Sequence, residues 1–226
     1  GARVGLLDAD VYGPNQVIMM GSDKVPKQSQ EKAYHPVDVH GVAVQSIGHF
    51  VTDRQPLVWR GPMLSSTLEQ IMRQSHWPEL DYLLVDMPPG TGDIPLTMAK
   101  KMPVSGVVIV STPERVACAD AARSIAMFQK MTLPILGLVE NMSVFSCPSC
   151  HQETALFGKG GVDVLAKEYS LSVLGRLPLD QQLQAQCDAG EPLLALDQKH
   201  AMSQRFLSLS RFVLAALASR PVRFLP

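Results

Sequence analysis

The chain has 226 residues, 46% hydrophobic and 18% charged, with a net charge of −1. That balance suits an α/β domain able to bury a sizeable core, and it sets up no field for nucleic acid or an anionic membrane. No apolar run approaches the ~18 residues that span a bilayer, and four cysteines are too few for a disulfide-framed secreted domain.

In chain order, apolar runs predict strands over Arg3–Asp8, Val42–Ile47, Tyr82–Asp86, Gly106–Ser111, Ile135–Asn141 and Val173–Leu177. Several are apolar throughout, which points to strands covered on both faces. Helical periodicity predicts helices over Leu64–Ser75, Ile94–Lys101, Val116–Met131, Val162–Tyr169, Gln181–Ala189 and Ala201–Ser219. Thr112 is placed to cap the third of these, with Pro113 and Glu114 in its first turn. Alternating strand and helix means βαβ units: an α/β fold with a mostly parallel sheet and helices on both faces. Residues 1–226 read as one domain, containing a Cys-bearing loop over residues 143–161. The polar stretch Gly21–Gly41 reads as a mobile insertion. Because a strand follows Gly1 at once, the chain reads as starting inside its domain, with roughly 30 residues or more of a first βα unit before it.

The segment Val85-Asp86-Met87-Pro88-Pro89-Gly90-Thr91-Gly92-Asp93 is the most informative. An apolar strand ending in Asp86 delivers a carboxylate to the C-terminal edge of a parallel sheet, where such sheets bind ligands. The Pro/Gly turn after it exposes backbone N–H groups, and a carboxylate for Mg²⁺ followed by a Gly-rich turn for a phosphate suits a nucleotide-hydrolysing switch. Asp8 and Asp10 end the first strand in a similar way and can serve a metal and orient a water. Asn141 and the Pro178-Leu179-Asp180 turn lie at two further strand exits, where they can read a base or simply cap turns. Cys147-Pro148-Ser149-Cys150 supplies two thiolates, half of a tetrahedral site. Two copies would complete a zinc or iron–sulfur site across a dimer; a redox pair or chance spacing is the alternative. Phe157-Gly158-Lys159-Gly160-Gly161 lacks the Ser or Thr that must follow the Lys of a phosphate loop, and no G-x-x-x-x-G-K-[ST] occurs elsewhere.

These blocks together resemble the Mrp/ApbC-type iron–sulfur cluster carrier ATPases, relatives of MinD and the nitrogenase iron protein among deviant P-loop NTPases. The likeness runs through Gly5–Pro14, Trp59–Met63, Asp86–Asp93, Val110–Pro113, Val139–Ser143, Cys147–Cys150, Phe157–Gly161 and Leu177–Asp180. It implies roles residue by residue. Asp8 and Asp10 match the first switch, Asp10 orienting the attacking water. Asp86 matches the Mg²⁺-associated carboxylate and Gly90 the γ-phosphate sensor. Asn141, Pro178 and Asp180 match the adenine-reading positions. Cys147 and Cys150 match the pair that holds a [4Fe–4S] cluster across a homodimer, where Zn²⁺ could substitute.

The resemblance implies an ATP- and Mg²⁺-dependent carrier that passes its cluster to apo iron–sulfur proteins. It implies no nucleic-acid or membrane partner, and a place in the cytoplasm or, for an organellar relative, the mitochondrial matrix. Lacking a phosphate loop, this stretch alone is expected not to hydrolyse ATP. The rival readings are a MinD/ParA-like positioning ATPase, which leaves the Cys pair without a purpose, and a zinc-bridged structural dimer module.

Overall fold

The structure is a computed structural model that describes residues 1–10, 12–22, 24–29, 33–50, 71, 74–220. The helix expected over Leu64–Ser75 and the Trp59–Met63 block lie largely or wholly outside these residues. The chain divides into two compact units, one comprising Gly1–Met98 with Ala185–Ala195, the other Ala99–Gln184 with Leu196 onward.

The first unit is built on a four-stranded sheet. Strand β1 (Val4–Asp8) is followed by a short helix α1 (Gln16–Met19), a small antiparallel pair β2 (Lys27–Gln28) and β3 (Tyr34–His35), then β4 (Val37–Val39), β5 (Val42–Ser46) and β6 (Tyr82–Asp86). The order is β4-β5-β1-β6; β1 pairs in parallel with β5 and β6, while β4 is antiparallel to β5. Part of the stretch read as a mobile insertion is therefore strand. His40 and Gly41 both take positive φ (53° and 78°) in the tight turn joining β4 to β5, and short-period valines flank it. Helix α2 (Asp93–Lys101) follows the Pro/Gly turn after β6.

The second unit holds a three-stranded parallel sheet, β11-β8-β7, made of β7 (Val107–Ser111), β8 (Ile135–Glu140) and β11 (Val173–Arg176). Every residue of β8 is buried, as expected of a central parallel strand. Helix α3 (Arg115–Lys130) covers one face. Its Ala121, Ile125 and Phe128 recur at i, i+4 and i+7 and form one apolar stripe. Thr132 (φ 56°) and Pro134 end it. Helix α4 (Gly161–Glu168) joins the same layer through Val162 and Leu165. Helix α7 (Ala201–Ala218) covers the opposite face, packing Phe206, Leu209 and Val213 against Leu136, Val139, Leu174 and Leu177. Arg220 ties its end to the sheet by donating to the Ile135 carbonyl at 2.6 Å. A hairpin of β9 (Phe145–Ser146) and β10 (Glu153–Thr154), helix α5 (Gln181–Ala189), helix α6 (Leu193–Leu196) and a single 3-10 turn (Ile47–His49) after β5 complete the described elements.

Two expectations need correction. Pro113 and Glu114 lie before α3 rather than in its first turn: Glu114 is the boundary residue, extended at φ −71° and ψ 151°, and no side chain caps the helix. Strand β6, which ends in Asp86, is largely exposed rather than covered on both faces, with Leu84 at 56%, and among the described residues it pairs only with β1.

Ile125 is 0% exposed at the centre of the α3 layer. Ile125→Ala should lower unfolding free energy by about 2–5 kcal/mol, the range for emptying a packed apolar site. Val164→Ala, on the exposed side of α4, should change it by less than about 0.5 kcal/mol. Urea unfolding followed by circular dichroism checks both.

Candidate functional site

In the first unit the parallel register sets Asp8 of β1 directly beside Asp86 of β6. The Ala9 N–H donates to the Asp86 carbonyl at 2.9 Å and extends that pairing past the strand end. Asp8 is only 1% exposed, yet its carboxylate is well served. Oδ2 accepts from Ser46 Oγ at 2.9 Å and from the Gln16 N–H at 3.3 Å; Oδ1 accepts from the Asp10 N–H at 3.1 Å. Burial nevertheless pushes the Asp8 carboxyl above its ordinary 3.8, with the Asp86 charge adding to the rise and the three donors opposing it.

Asp10 faces outward from the same strand end. Its Oδ1 accepts from the N–H groups of Tyr12 and Gly13 at 3.1 and 3.2 Å and so shapes the turn leading to α1. Asp86 is exposed, and its Oδ2 accepts from Gln16 Nε2 at 2.6 Å. Beyond Asp86, Gly90 takes φ +87°, a backbone conformation that favours glycine, and nothing lies within 4 Å of where its Cβ would be. The neighbouring Asp8 and Asp86 carboxylates and the open Gly-rich turn offer the oxygen chemistry a hydrated hard cation takes, while among the described residues no group of three or more His, Cys, Asp or Glu is placed to hold a metal. Mg²⁺ takes oxygen ligands, commonly one or two carboxylates with waters, and the Gln16 side-chain amide already places a positive dipole end on Asp86. Asp86 and Asp8 are the residues that would hold Mg²⁺ here, directly or through its waters, and it would supply positive charge to neutralise phosphate oxygens.

In the second unit two strand exits lie side by side. The Ser143 N–H donates to the Leu177 carbonyl at 3.0 Å and the Leu179 N–H to the Val144 carbonyl at 2.8 Å, which brings Asn141 and the Pro178–Asp180 turn to one edge. Asn141 Oδ1 accepts from the Met142 N–H at 3.0 Å, leaving its amide group as a donor. Asp180 Oδ1 accepts from the Leu183 N–H at 2.7 Å, so its side chain caps α5. The same edge carries Glu140, 5% exposed, with Oε1 3.6 Å from Arg176 Nε. Burial pushes the Glu140 carboxyl up while Arg176 opposes it.

Cys147 and Cys150 lie in the loop between β9 and β10. The Cys147 N–H donates to the Gln152 carbonyl at 3.1 Å and the His151 N–H to the Cys147 carbonyl at 2.8 Å, closing a tight turn with His151 at φ 58°. The N–H groups of Cys150 and Ser149 point at the Cys147 sulfur and hold its pKa below the ordinary thiol value. A sulfur cradled by backbone N–H groups is prepared as a thiolate ligand. Cys150 is exposed, His151 is exposed, and among the described residues no group of three or more His, Cys, Asp or Glu could hold a metal within one chain. Cys118 and Cys187 are instead half-buried in α3 and α5, where burial pushes both thiols up.

Sequence reading missed Gln16, Ser46 and Glu140. Gln16 sits in no motif, Ser46 ends an ordinary strand, and Glu140 precedes Asn141 within an otherwise apolar run. Register was the only available signal: Ser46 is the β5 partner of Asp8.

A parallel α/β sheet with carboxylates at its strand ends is the architecture of the MinD/ParA-type P-loop NTPases. A nucleotide-binding protein from Archaeoglobus fulgidus, solved with ADP, superposes with a TM-score of 0.74 at 33% identity, covering 91% of this chain and 79% of that one. MinD from Pyrococcus horikoshii shares the fold, with a TM-score of 0.68 at 18% identity over 95% of this chain and 85% of its own. The chain belongs to the NUBPL iron-transfer P-loop NTPase family of the ParA group, which it matches over residues 1–214. The iron–sulfur cluster carrier protein of Pseudomonas fragi is 48% identical over 199 residues, 87% of this chain and 69% of that protein. The Escherichia coli K12 carrier is 47% identical over 85% of this chain and 52% of its own length. The iron–sulfur cluster transfer protein NUBPL of Mus musculus is 43% identical over 96% and 68%. The chain thus spans about half to two thirds of the length of these relatives.

Because the folded chain holds the Asp8 proton more tightly than the unfolded chain, this group's contribution to stability falls as pH rises from near 3.8 through the raised pKa. Ser46→Ala removes a donor to the carboxylate. It should move the falling limb to higher pH and cost about 1.5–3 kcal/mol at pH 7. Urea unfolding of both proteins from pH 4 to 8 measures this; an unmoved limb would mean Ser46 does not stabilise the charge.

Proposed function

We propose that the chain is the switch- and cluster-bearing part of an iron–sulfur cluster carrier ATPase. The Cys147–Cys150 turn carries this reading: two thiols, one with its pKa lowered by backbone N–H groups, stand on an exposed hairpin with no further ligand within the chain's described residues. A [4Fe–4S] cluster takes four thiolates, so two copies of the chain would hold one cluster between them and release it to an apo-protein. The names of the relatives support a carrier.

On this reading the first unit supplies the switch. Asp86, beside Asp8, associates with Mg²⁺. Asp10 orients the attacking water, and the backbone at Gly90 senses the γ-phosphate. The Asn141 amide, with backbone of the Pro178–Asp180 turn, reads the adenine; the Asp180 carboxylate itself is engaged in the helix cap. The loop that cradles the phosphates has no counterpart in this sequence, so the stretch alone should not turn over ATP. A bacterial protein of this kind would work in the cytoplasm; the Arabidopsis thaliana relative is named mitochondrial, and the mitochondrial matrix is the organellar counterpart.

Anaerobic reconstitution with iron and sulfide, followed by sizing, tests the cluster site. Cys147→Ser and Cys150→Ser should each abolish cluster absorbance and lower the dimer fraction together; Cys118→Ser and Cys187→Ser should do neither. A cluster at full occupancy in a strictly monomeric species would overturn the bridging arrangement, and zinc alone after anaerobic purification would favour a structural module.

For the intact protein, Asp10→Asn is the informative change, since Asn retains an Oδ1 to accept from Tyr12 and Gly13 and so preserves the turn. Nucleotide binding should persist while hydrolysis falls by roughly 10²–10⁴-fold, the usual loss for a group that activates a water. Equal losses in both would remove Asp10 from that role.

A further inference from the structure

Gln16 belongs to no nucleotide or metal motif, yet it touches both strand-end carboxylates. Its Nε2 donates to Asp86 Oδ2 at 2.6 Å, and its backbone N–H donates to Asp8 Oδ2 at 3.3 Å. It also opens α1, a single turn of four residues with no buried side chain and no side-chain cap. The Val17 side chain of α1 packs close against Gly48.

The far end of α1 is fixed firmly. Gly21 (φ 64°) approaches Gly190 so closely that a Cβ on Gly21 would lie 2.2 Å from the Gly190 carbonyl oxygen. Ser22 Oγ and His49 Nε2 form a buried hydrogen bond of 2.9 Å, and the Ser22 N–H donates to the Val17 carbonyl at 2.9 Å. The near end rests on Gln16, and just before it lies the Asp10 turn. The segment from Asp10 to Ser22 is thus pinned at Ser22 and tied to Asp8 by the Asp10 and Gln16 N–H groups, while among the described residues its one contact with Asp86 is the Gln16 side-chain amide.

An amide N–H and a cation seek the same lone pairs of a carboxylate oxygen. We propose that the Gln16 side-chain amide is a latch that occupies Asp86 when no cation is there, and that a divalent cation arriving at Asp86 displaces that side chain while the Gln16 N–H stays on Asp8. This rests on the reading of Asp86 as the cation-associated carboxylate.

The latch predicts a sign that a merely structural role does not. A competitor lowers apparent affinity in proportion to the fraction of time it occupies the site, so removing it tightens cation binding. For a latch closed roughly 70–90% of the time, Gln16→Ala and Gln16→Met should each tighten binding about 3–10-fold. The measurement is Mn²⁺ binding to this chain, read as loss of the free-ion electron paramagnetic resonance signal, with Asp86→Ala as the control. The urea midpoint of each variant reports that it is folded. Tighter binding in both Gln16 variants, lost in Asp86→Ala, is the expected result. Binding that is unchanged or weakened in the Gln16 variants but abolished in Asp86→Ala overturns the latch and leaves the metal reading standing. Binding indifferent to Asp86→Ala overturns both.

Discussion

The buried carboxylate of Asp8 is the constraint on which the first unit turns. A carboxylate 1% exposed is costly unless hydrogen bonds replace its water. Here the replacements come from three places in the sequence: Ser46 at the end of β5, the Asp10 N–H in the turn beyond β1, and the Gln16 N–H at the start of α1. Satisfying one side chain therefore fixes the relative placement of a strand end, a turn and a helix start. The parallel register then delivers Asp86 alongside. Ser46 also accepts from the Gly48 N–H at 2.9 Å, which links the carboxylate to the turn that carries His49.

The second unit has a different foundation. Its sheet is sandwiched between α3 with α4 on one face and α7 on the other, and the cores on the two faces are almost wholly apolar. Close backbone approach sharpens that packing: a Cβ on Gly161 would lie 2.0 Å from the Pro113 carbonyl oxygen, so only glycine lets α4 start where it does. From this rigid layer the β9–β10 hairpin projects the cysteines. Its backbone N–H groups, rather than any neighbouring cation, favour the Cys147 thiolate.

The two kinds of strand end serve different purposes. Asp8, Asp10 and Asp86 present charge, while Asn141 and the Pro178–Asp180 turn present neutral donors and backbone. Glu140 adds a buried charge to the second edge, balanced by Arg176, which also pairs with Asp163 on α4. That network ties the edge to a helix and leaves Asn141 free to donate.

Much of this was legible because it depends on local chemistry. Apolar runs ending in Asp8 and Asp86, glycines in the Pro88–Gly92 turn and the Cys147–Cys150 spacing are properties of neighbouring residues, and strand or helix type followed from periodicity in β1, β8, α3 and α7. Short elements escaped: α1, β2, β3 and β9 have too few residues to show a period, and the Asp180 cap competes with a reading of the same residue as a ligand. The sequence by itself determined the element types, the parallel α/β class and the presence of a carboxylate set and a thiol pair, since these are set by side-chain chemistry and spacing. Only the tertiary structure decided that Ser46 and Gln16 serve Asp8, that the Gln16 side chain hydrogen-bonds Asp86 and that, among the described residues, β6 pairs with β1 alone. Those outcomes depend on pairing and register between segments tens of residues apart, and no local pattern of residues encodes which N–H will meet which oxygen.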